Sequence, residues 1–196
     1  MKRLVLASGN LGKLREIEEI ANGQFEILTQ SDFNVTSADE TGLSFVENAI
    51  LKARHAARLT GLPALADDSG LEVEALKGAP GIYSARYAHG EASDAENLQK
   101  LLQELADVPE HRRRARFFCA VAYMEHAEDP TPIICQGSWE GRILTEPRGT
   151  QGFGYDPVFY VATHHCSAAE LPPAVKNSLS HRSKALRQLF DVLKTH

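Results

Sequence analysis

Short apolar runs alternate with stretches in which hydrophobic residues recur every three or four positions. Residues 2–7 predict a buried first strand, and leucines and isoleucines then recur at helical spacing until Gly23. Residues 25–28 predict a second strand. A start of the strand–helix–strand kind is typical of an α/β domain.

The next stretch predicts a long helix followed by a broken strand. Ser44 and Glu47 have the spacing of a capping box, and the helix that they begin is expected to end at Gly61. Residues 63–66 and 71–75 predict two strands, and the intervening Asp67-Asp68-Ser69-Gly70 has the composition of a tight turn.

The second half of the chain predicts fewer helices and several consecutive strands. Lys77 to His89 is rich in Gly and Pro and predicts a loop, after which Ser93-x-x-Glu96 predicts the start of a helix. The remaining predicted elements are strands at 117–124, 132–139 and 153–160 and an amphipathic helix at 183–193. Because these strands follow one another, we expect a mixed sheet with an antiparallel hairpin late in the chain.

Composition narrows the class of protein. The 196 residues are 43% hydrophobic and 24% charged, which favours one globular domain, or two small lobes with a shared core, over disorder or coiled coil. A net charge of −5 disfavours direct nucleic-acid binding, and no apolar run is long enough to span a membrane. Three widely spaced cysteines, Cys119, Cys135 and Cys166, predict neither a disulfide framework nor a zinc site, so we expect a reduced cytoplasm. The arginines at 112–116 are expected to be the exposed start of a strand.

The first candidate site is the junction between the first strand and the first helix. Ser8-Gly9-Asn10-Leu11-Gly12-Lys13 places small polar residues and a lysine where backbone N–H groups point outward, an arrangement that suits phosphate. The segment lacks the Gly and Ser/Thr positions of a Walker A loop. An asparagine-capped helix with a solvated lysine is the plain alternative.

Acidic residues form the second candidate site. Asp39, Glu40, Glu47, Asp67 and Asp68 are oxygen donors of the kind that hold Mg²⁺ beside phosphate. Each also has an ordinary explanation as a loop, cap or turn residue. Asp68 stands out because it follows a buried strand, where α/β proteins place ligands.

Two later segments complete the candidates. Phe153-Gly154-Tyr155-Asp156-Pro157 could supply aromatic rings for stacking on a base and a carboxylate acceptor, or could be an aromatic core strand with a turn. Cationic side chains are concentrated near a predicted helix start, in Lys176-Asn177 and Ser180-His181-Arg182. Such a cluster suits an anionic or polar ligand, and solvated surface charge is the alternative.

Six motifs taken together resemble the inosine triphosphate pyrophosphatase family. They are Ser8-Gly9-Asn10-x-x-Lys13, Phe45-x-Glu47-Asn48-Ala49-x-x-Lys52-Ala53, Asp67-Asp68-Ser69-Gly70-Leu71, Gly78-x-Pro80-Gly81-Ile82-Tyr83-Ser84-Ala85-Arg86-Tyr87, Phe153-Gly154-Tyr155-Asp156-Pro157 and Ser180-His181-Arg182. They occur in order over nearly the whole chain. Ser8 stands where many relatives have threonine, and the hydroxyl is kept.

The resemblance implies an α/β fold over residues 1–196, with an elongated mixed sheet flanked by helices and two lobes with a central nucleotide cleft. It implies a homodimer and Mg²⁺-dependent hydrolysis of ITP, dITP and XTP to the monophosphate and pyrophosphate. This activity would clear non-standard purine nucleotides before their incorporation into DNA or RNA.

The resemblance also implies a role for each matching residue. Asp68 is implied as the catalytic carboxylate, and either Asp39 or Glu40 as a metal ligand beside Asp68. The residues implied as substrate contacts are Ser8, Gly9, Asn10, Leu11, Gly12, Lys13, Ser69, Phe153, Gly154, Tyr155, Asp156, Lys176, His181 and Arg182.

Three other functions stay open at this point. One is a nucleotide-binding protein without turnover, although such a protein has no need of a water-activating carboxylate. Another is a serine hydrolase that uses Ser69, which lies outside a Gly-x-Ser-x-Gly elbow. The third is a pyrophosphatase for modified pyrimidine nucleotides.

Overall fold

A mixed β-sheet organises the chain in the computed structural model, which describes residues 2–195. Within that range the strands are β1 (Lys2–Leu6), β2 (Phe25–Thr29), β3 (Ala64–Val73), β4 (Arg114–Met124), β5 (Ile133–Ile143), β6 (Phe159–Val161) and β7 (Cys166–Ser167). They form one sheet in the order β2-β1-β3-β4-β5-β6-β7.

The direction of the strands changes along the sheet. β1 pairs in parallel with β2 and with β3, whereas β6 pairs antiparallel with β5 and with β7. The predicted α/β fold with a mixed sheet is therefore confirmed.

Three of the five α-helices described over residues 2–195 begin at a capping side chain. The helices are α1 (Leu11–Ala21), α2 (Phe45–Thr60), α3 (Asp94–Glu104), α4 (Pro173–Leu179) and α5 (His181–Thr195). Asn10, Ser44 and Ser93 each accept a backbone N–H from the first turn of α1, α2 and α3 respectively. Such caps satisfy helix N–H groups that have no partner within the helix.

The chain divides into two compact units, each with its own hydrophobic core. The first unit comprises the residues through Asp68, Cys119–Gly137 and the residues from His181 onward. Its core includes Leu6, Ile17, Leu65 and Leu189. The second unit comprises Ser69–Phe118 and Ser138–Ser180, and its core is built around Phe117, Trp139 and Phe159.

The predicted break in the third strand is wrong. β3 continues from Ala64 to Val73 through Asp67-Asp68-Ser69-Gly70, and both aspartates are buried within it. Four consecutive turn-forming residues favour a turn locally, but the buried carboxylates form ion pairs with distant cations, which stabilises them in an extended strand.

The prediction of a strand over residues 153–160 is also wrong for most of its length. The backbone turns at 152–155, a 3₁₀ helix follows at Asp156–Val158, and only Phe159–Val161 is a strand. Gly152 and Gly154 have positive φ, which an extended strand does not contain. The predicted loop at 77–89 contains a 3₁₀ helix at Gly81–Arg86, and α4 has no counterpart among the predicted helices.

One arginine in the run at 112–116 departs from the predicted exposure. Arg113 is buried, and its guanidinium donates to the backbone carbonyls of Val108, Leu105 and Leu144 at 2.8, 2.7 and 3.3 Å. Arg112 and Arg114 are exposed as expected. Arg113 therefore closes loops of the second unit.

Two other expectations concern the cysteines and the membrane. Cys119 and Cys135 are buried, and neither forms a disulfide. Over residues 2–195, no helix has the length and apolar character needed to cross a membrane.

Candidate active site

The first unit places the predicted phosphate loop at the carboxyl end of β1. The backbone N–H of Asn10 donates to Ser8 Oγ at 3.2 Å, and Asn10 Oδ1 accepts the backbone N–H of Lys13 at 3.0 Å. These bonds fix the turn from which α1 starts. The turn brings the positive end of the helix dipole and the Lys13 side chain to the same edge of the sheet.

Asp67 and Asp68 lie side by side in β3 and use different partners. Lys13 Nζ lies 3.0 Å from Asp67 Oδ2, whereas Lys52 Nζ lies 2.7 Å from Asp68 Oδ1. Successive residues of a strand point to opposite faces of the sheet. The two carboxylates therefore serve different faces, one toward α1 and the other toward α2.

Lys52 joins Asp68 to the acidic loop before α2. Its ammonium also lies 2.9 Å from Glu40 Oε1, so one cation bridges two carboxylates. Burial raises the pKa of Asp68 above its ordinary value, and the attraction of Lys52 only partly opposes this effect. Burial lowers the pKa of Lys52, but Asp68, Asp67 and Glu40 outweigh that effect and the pKa is raised.

The loop that carries Glu40 is clasped against the start of α2. The N–H of Gly42 donates to Asn48 Oδ1 at 2.8 Å, and the N–H of Leu43 donates to Glu47 Oε2 at 3.0 Å. A Cβ at Gly42 would lie 2.6 Å from Glu47 Cβ and 2.7 Å from Asn48 Oδ1, so only glycine fits without movement. Asn48 is buried, and its side-chain Nδ2 lies 3.5 Å from Asp68 Oδ2.

This clasp separates the two candidate metal ligands that the sequence left undecided. Glu40 shares Lys52 with Asp68, whereas Asp39 is exposed and its backbone carbonyl accepts the N–H of Thr41 at 3.2 Å. Glu40 is therefore the member of the pair that the fold brings to Asp68.

Arg182 is enclosed by carboxylates of the first unit. Its Nε donates to Asp67 Oδ2 at 3.2 Å, and a terminal nitrogen donates to Glu16 Oε2. Burial lowers the pKa of the guanidinium, but Asp67 and Glu16 reverse the effect and raise it. His181, the residue before Arg182, is also buried at the start of α5. Asp67 thus receives both Lys13 and Arg182.

The second unit carries the aromatic candidate segment on a tight turn. Asp156 Oδ2 accepts the N–H of Phe153 at 2.9 Å and the ammonium of Lys176 at 2.7 Å. A Cβ at Gly152 would collide with the Asp156 carboxylate, so the turn closes only around glycine. Lys176 Nζ also lies 4.8 Å from the centre of the Phe153 ring.

The two aromatic residues of this turn have different surroundings. Phe153 is partly exposed, whereas the Tyr155 ring is buried and its hydroxyl donates to the Ser84 carbonyl at 2.8 Å. Of the two rings, only Phe153 offers a face to a ligand. The Tyr155 ring cannot be the second member of a stacking platform.

Ser69 follows Asp68 within β3 and is partly buried. A nucleophile elbow requires a sharp turn from a strand into a helix, and β3 instead continues to Val73. This observation disfavours the serine-hydrolase alternative.

The donor set limits the kind of metal site. Across residues 2–195, no cluster of three or more His, Cys, Asp and Glu side chains is placed to hold an ion. Glu40 and Asp68 nevertheless approach one common cation, Lys52 Nζ, from two sides. Two carboxylates completed by water and substrate phosphate suit Mg²⁺, which seldom uses an all-protein cage.

Comparison with known proteins now identifies the family. The sequence matches the model of the Ham1 family over residues 4–192. The chain belongs to the Ham1 family. Among curated relatives of this Ham1 chain, the dITP/XTP pyrophosphatase of Vibrio parahaemolyticus is 62% identical over 191 residues, which are 97% of this chain and 96% of that protein. The dITP/XTP pyrophosphatase of Escherichia coli K12 is 56% identical over 195 residues, 99% of each chain.

Solved structures agree with this placement. The structure of a HAM1 protein from Coxiella burnetii has a TM-score of 0.92 and 53% sequence identity, and the match covers 100% of both chains. The Ham1 protein of Staphylococcus aureus has a TM-score of 0.87 at 38% identity, with 99% of each chain covered.

Three residues of this Ham1 chain join the candidate site although the sequence did not single them out as site residues. Lys52 bridges Glu40 and Asp68, Asn48 clasps the acidic loop, and Glu16 pairs with Arg182. Asn48 and Lys52 are four residues apart in a quoted motif, which places them on one helix face. This spacing was the sequence signal that could have identified Asn48 and Lys52 as neighbours in a site. No comparable signal in the sequence pointed to Glu16.

Proposed function

We propose that this chain hydrolyses the non-standard purine nucleoside triphosphates ITP, dITP and XTP to the monophosphate and pyrophosphate. Full-length relatives named dITP/XTP pyrophosphatase at 56–62% identity support the substrate class. The main structural support for the chemistry is the Asp68 carboxylate, which is buried within β3 and accepts a hydrogen bond from Lys52 Nζ at 2.7 Å.

Binding of the triphosphate requires that its negative charge be neutralised. Lys13 and the first-turn N–H groups of α1 are donors of the right kind, because they are positioned before the ligand arrives. Asp67 holds the Lys13 ammonium at 3.0 Å and so limits its conformations.

Asp68 is the proposed general base for water attack at the α-phosphorus. A base works best when its pKa approaches the operating pH, and burial moves the pKa of Asp68 in that direction. Lys52 and Asn48 hold its two oxygens from different positions on α2, which orients the carboxylate. A positioned base contributes about 10²–10⁴-fold in rate.

Mg²⁺ is the proposed cofactor, held by Glu40 and Asp68. When bound, it would neutralise phosphate charge and favour departure of pyrophosphate. Lys52 lies next to both carboxylates and keeps them close together without the metal.

The turn at 152–156 is the proposed contact for the base. Phe153 offers a ring for stacking, which accepts any base, and Lys176 is a donor suited to the C6 carbonyl of hypoxanthine and xanthine. Adenine carries an amino group there, so it would leave such a donor unpaired. His181 and Arg182 are also proposed as hydrogen-bond donors to the base. Buried unpaired donors support discrimination on the order of 10⁴.

We also propose a homodimer in a reduced cytoplasm. Apolar side chains on the 3₁₀ helix Gly81–Arg86 support the dimer, since Tyr83 is 53% exposed there. Cys119 and Cys135 form no disulfide, which suits a reducing compartment. Light scattering at micromolar concentration should give twice the chain mass, and a monomer mass would refute the dimer.

A nucleotide panel with Mg²⁺ tests the function. ITP, dITP and XTP should be turned over far faster than ATP, with GTP intermediate to poor, and each should release pyrophosphate and a monophosphate. Orthophosphate with a diphosphate would place the attack at the γ-phosphorus and refute the proposed orientation. Binding without turnover would identify a nucleotide-binding protein, and preference for a modified pyrimidine would replace the substrate class.

A further inference from the structure

The turn that carries Phe153 is anchored at its tip by a residue of α3. The N–H of Gly154 donates to Asp94 Oδ2 at 2.7 Å, although 60 residues separate the two in sequence. Asp94 is the first residue of α3 and is exposed. A carboxylate acceptor makes this hydrogen bond shorter and stronger than one between neutral groups.

The two neighbouring amides of the turn are therefore held by two different carboxylates. Asp156, buried beneath the turn, accepts the N–H of Phe153, and Asp94, on the outside, accepts the N–H of Gly154. The Tyr155 hydroxyl fixes the next residue by its bond to Ser84. The backbone that carries the partly exposed Phe153 ring is thus held at three consecutive residues.

An outer anchor matters here because the turn contains two flexible positions. Gly152 and Gly154 have φ of 76° and 62°, and glycine adopts many other conformations at little cost. The Asp156 carboxylate packs against Gly152, whereas Asp94 accepts the backbone N–H of Gly154 itself. Loss of the Asp94 carboxylate would let the peptide at Gly154 rotate and the Phe153 ring move with it.

We propose that Asp94 is a positioning residue for base specificity. It fixes the turn that carries Phe153, and the Phe153 ring in turn holds the base in place beside the Lys176 ammonium, which lies 4.8 Å from the ring centre and distinguishes the C6 group. This inference rests on the proposed function, in which Phe153 contacts the base. Asp94 itself makes no contact with the proposed substrate. It acts only through the geometry of the turn.

A purely structural role for Asp94 predicts a different outcome. An acidic residue in the first turn stabilises a helix through the dipole, and α3 has a second one, Glu96. Glu96 completes the capping box with Ser93, where its carboxylate accepts the Ser93 N–H at 2.8 Å. Glu96→Ala is thus a matched control that weakens the same helix start without removing the bond to Gly154.

The experiment compares kcat and KM for ITP and ATP in the wild type, Asp94→Ala, Asp94→Asn, Glu96→Ala and Phe153→Ala. Asp94→Ala should lower the ITP-to-ATP ratio of kcat/KM by about three- to tenfold, the range for net loss of one ordinary hydrogen bond, since water screens the charge of the exposed Asp94. The loss should appear in KM for ITP, with kcat changed less than about twofold. Asp94→Asn should retain most of the ratio, because its amide oxygen can accept the same N–H.

Glu96→Ala should lower the melting temperature and leave the ratio unchanged. An unchanged ratio in Asp94→Ala, or an equal loss in Glu96→Ala, overturns the inference while the proposed function stands. A wild type without ITP preference, or a Phe153→Ala variant with the wild-type kcat/KM for ITP, refutes the proposed base contact and the inference with it.

Discussion

Substitution of Arg182 by methionine tests whether the buried ion pairs of the first unit stabilise its fold. The Arg182 side chain is 3% exposed, and its partners Asp67 and Glu16 are 1% and 12% exposed. Methionine keeps much of the side-chain length but supplies no donor. Asp67 would keep Lys13 as a partner and lose the guanidinium.

The burial of all three side chains sets the magnitude. Removal of one member of a buried pair costs about 3–5 kcal/mol, because the remaining charge loses its compensation. For a chain of this size, each kcal/mol lowers the melting temperature by about 2–4 °C, so we expect a fall of roughly 6–20 °C. Surface substitutions usually change stability by less than about 0.5 kcal/mol.

Urea unfolding followed by circular dichroism measures the effect, with Arg187→Met as the control. Arg187 is an exposed arginine on the same helix. Glu16→Gln and the double variant complete a cycle, in which contacting partners should give a non-additive result. A free energy of unfolding of Arg182→Met within about 1 kcal/mol of the wild-type value would show that these buried ion pairs do not stabilise the fold to the extent expected.

The same position bears on base recognition, since Arg182 is also a predicted donor to the base. Arg182→Ala should blunt the preference for ITP over ATP. The assay temperature must lie below the lowered melting point. A variant that is folded at the assay temperature and keeps the full preference would remove Arg182 from base recognition.

Three further predictions concern the proposed catalytic carboxylate, the acidic loop and the start of α3. Asp68→Asn should fold normally and lose at least tenfold in kcat, and a variant that keeps more than about a tenth of the wild-type rate would contradict its role as a base. Gly42→Ala should displace the Glu40 loop, since the added Cβ would lie 2.6 Å from Glu47 Cβ. Half-maximal activity should then require a higher Mg²⁺ concentration. An unchanged dependence of activity on Mg²⁺ concentration would argue against Glu40 as a ligand. Hydrogen bonds from Ser93 lower the pKa of Glu96 from 4.5 to about 2, so its stabilising effect is present above pH 4.5 and is lost as the pH falls toward 2. Glu96→Gln should therefore be less stable than the wild type at pH 7, with a difference that vanishes near pH 2 in denaturant titrations; a difference independent of pH would refute the assignment.

Local signals in the sequence were sufficient for the helices that begin with caps. Asn10, Ser44 and Ser93 each predict a helix start, and each accepts a first-turn N–H in the structure. These interactions span only three residues, so a short window of sequence contains them.

Long-range contacts explain what the sequence left out. Asp67 and Asp68 lie in a continuous strand because of cations on α1, α2 and α5, the farthest of them 115 residues away. Lys52 meets Glu40 and Asp68 only after folding, and the bond from Gly154 to Asp94 spans 60 residues. Family resemblance compensated for part of this by marking Asp68, Phe153 and Lys176 as candidates. No pattern within a short window could supply their partners.

The neighbouring aspartates of β3 also make the strand intolerant of a shift in register. β3 pairs with β1 through Ala64 opposite Val5 and Leu65 opposite Leu6. A deletion of one residue before Asp67 would turn every following side chain to the other face of the sheet. Each carboxylate would then meet the wrong layer of helices, with Asp68 directed toward Lys13 and Arg182 and away from Lys52. These ion pairs therefore favour one strand alignment in the folded protein, in a segment where an apolar pair would accept either alignment.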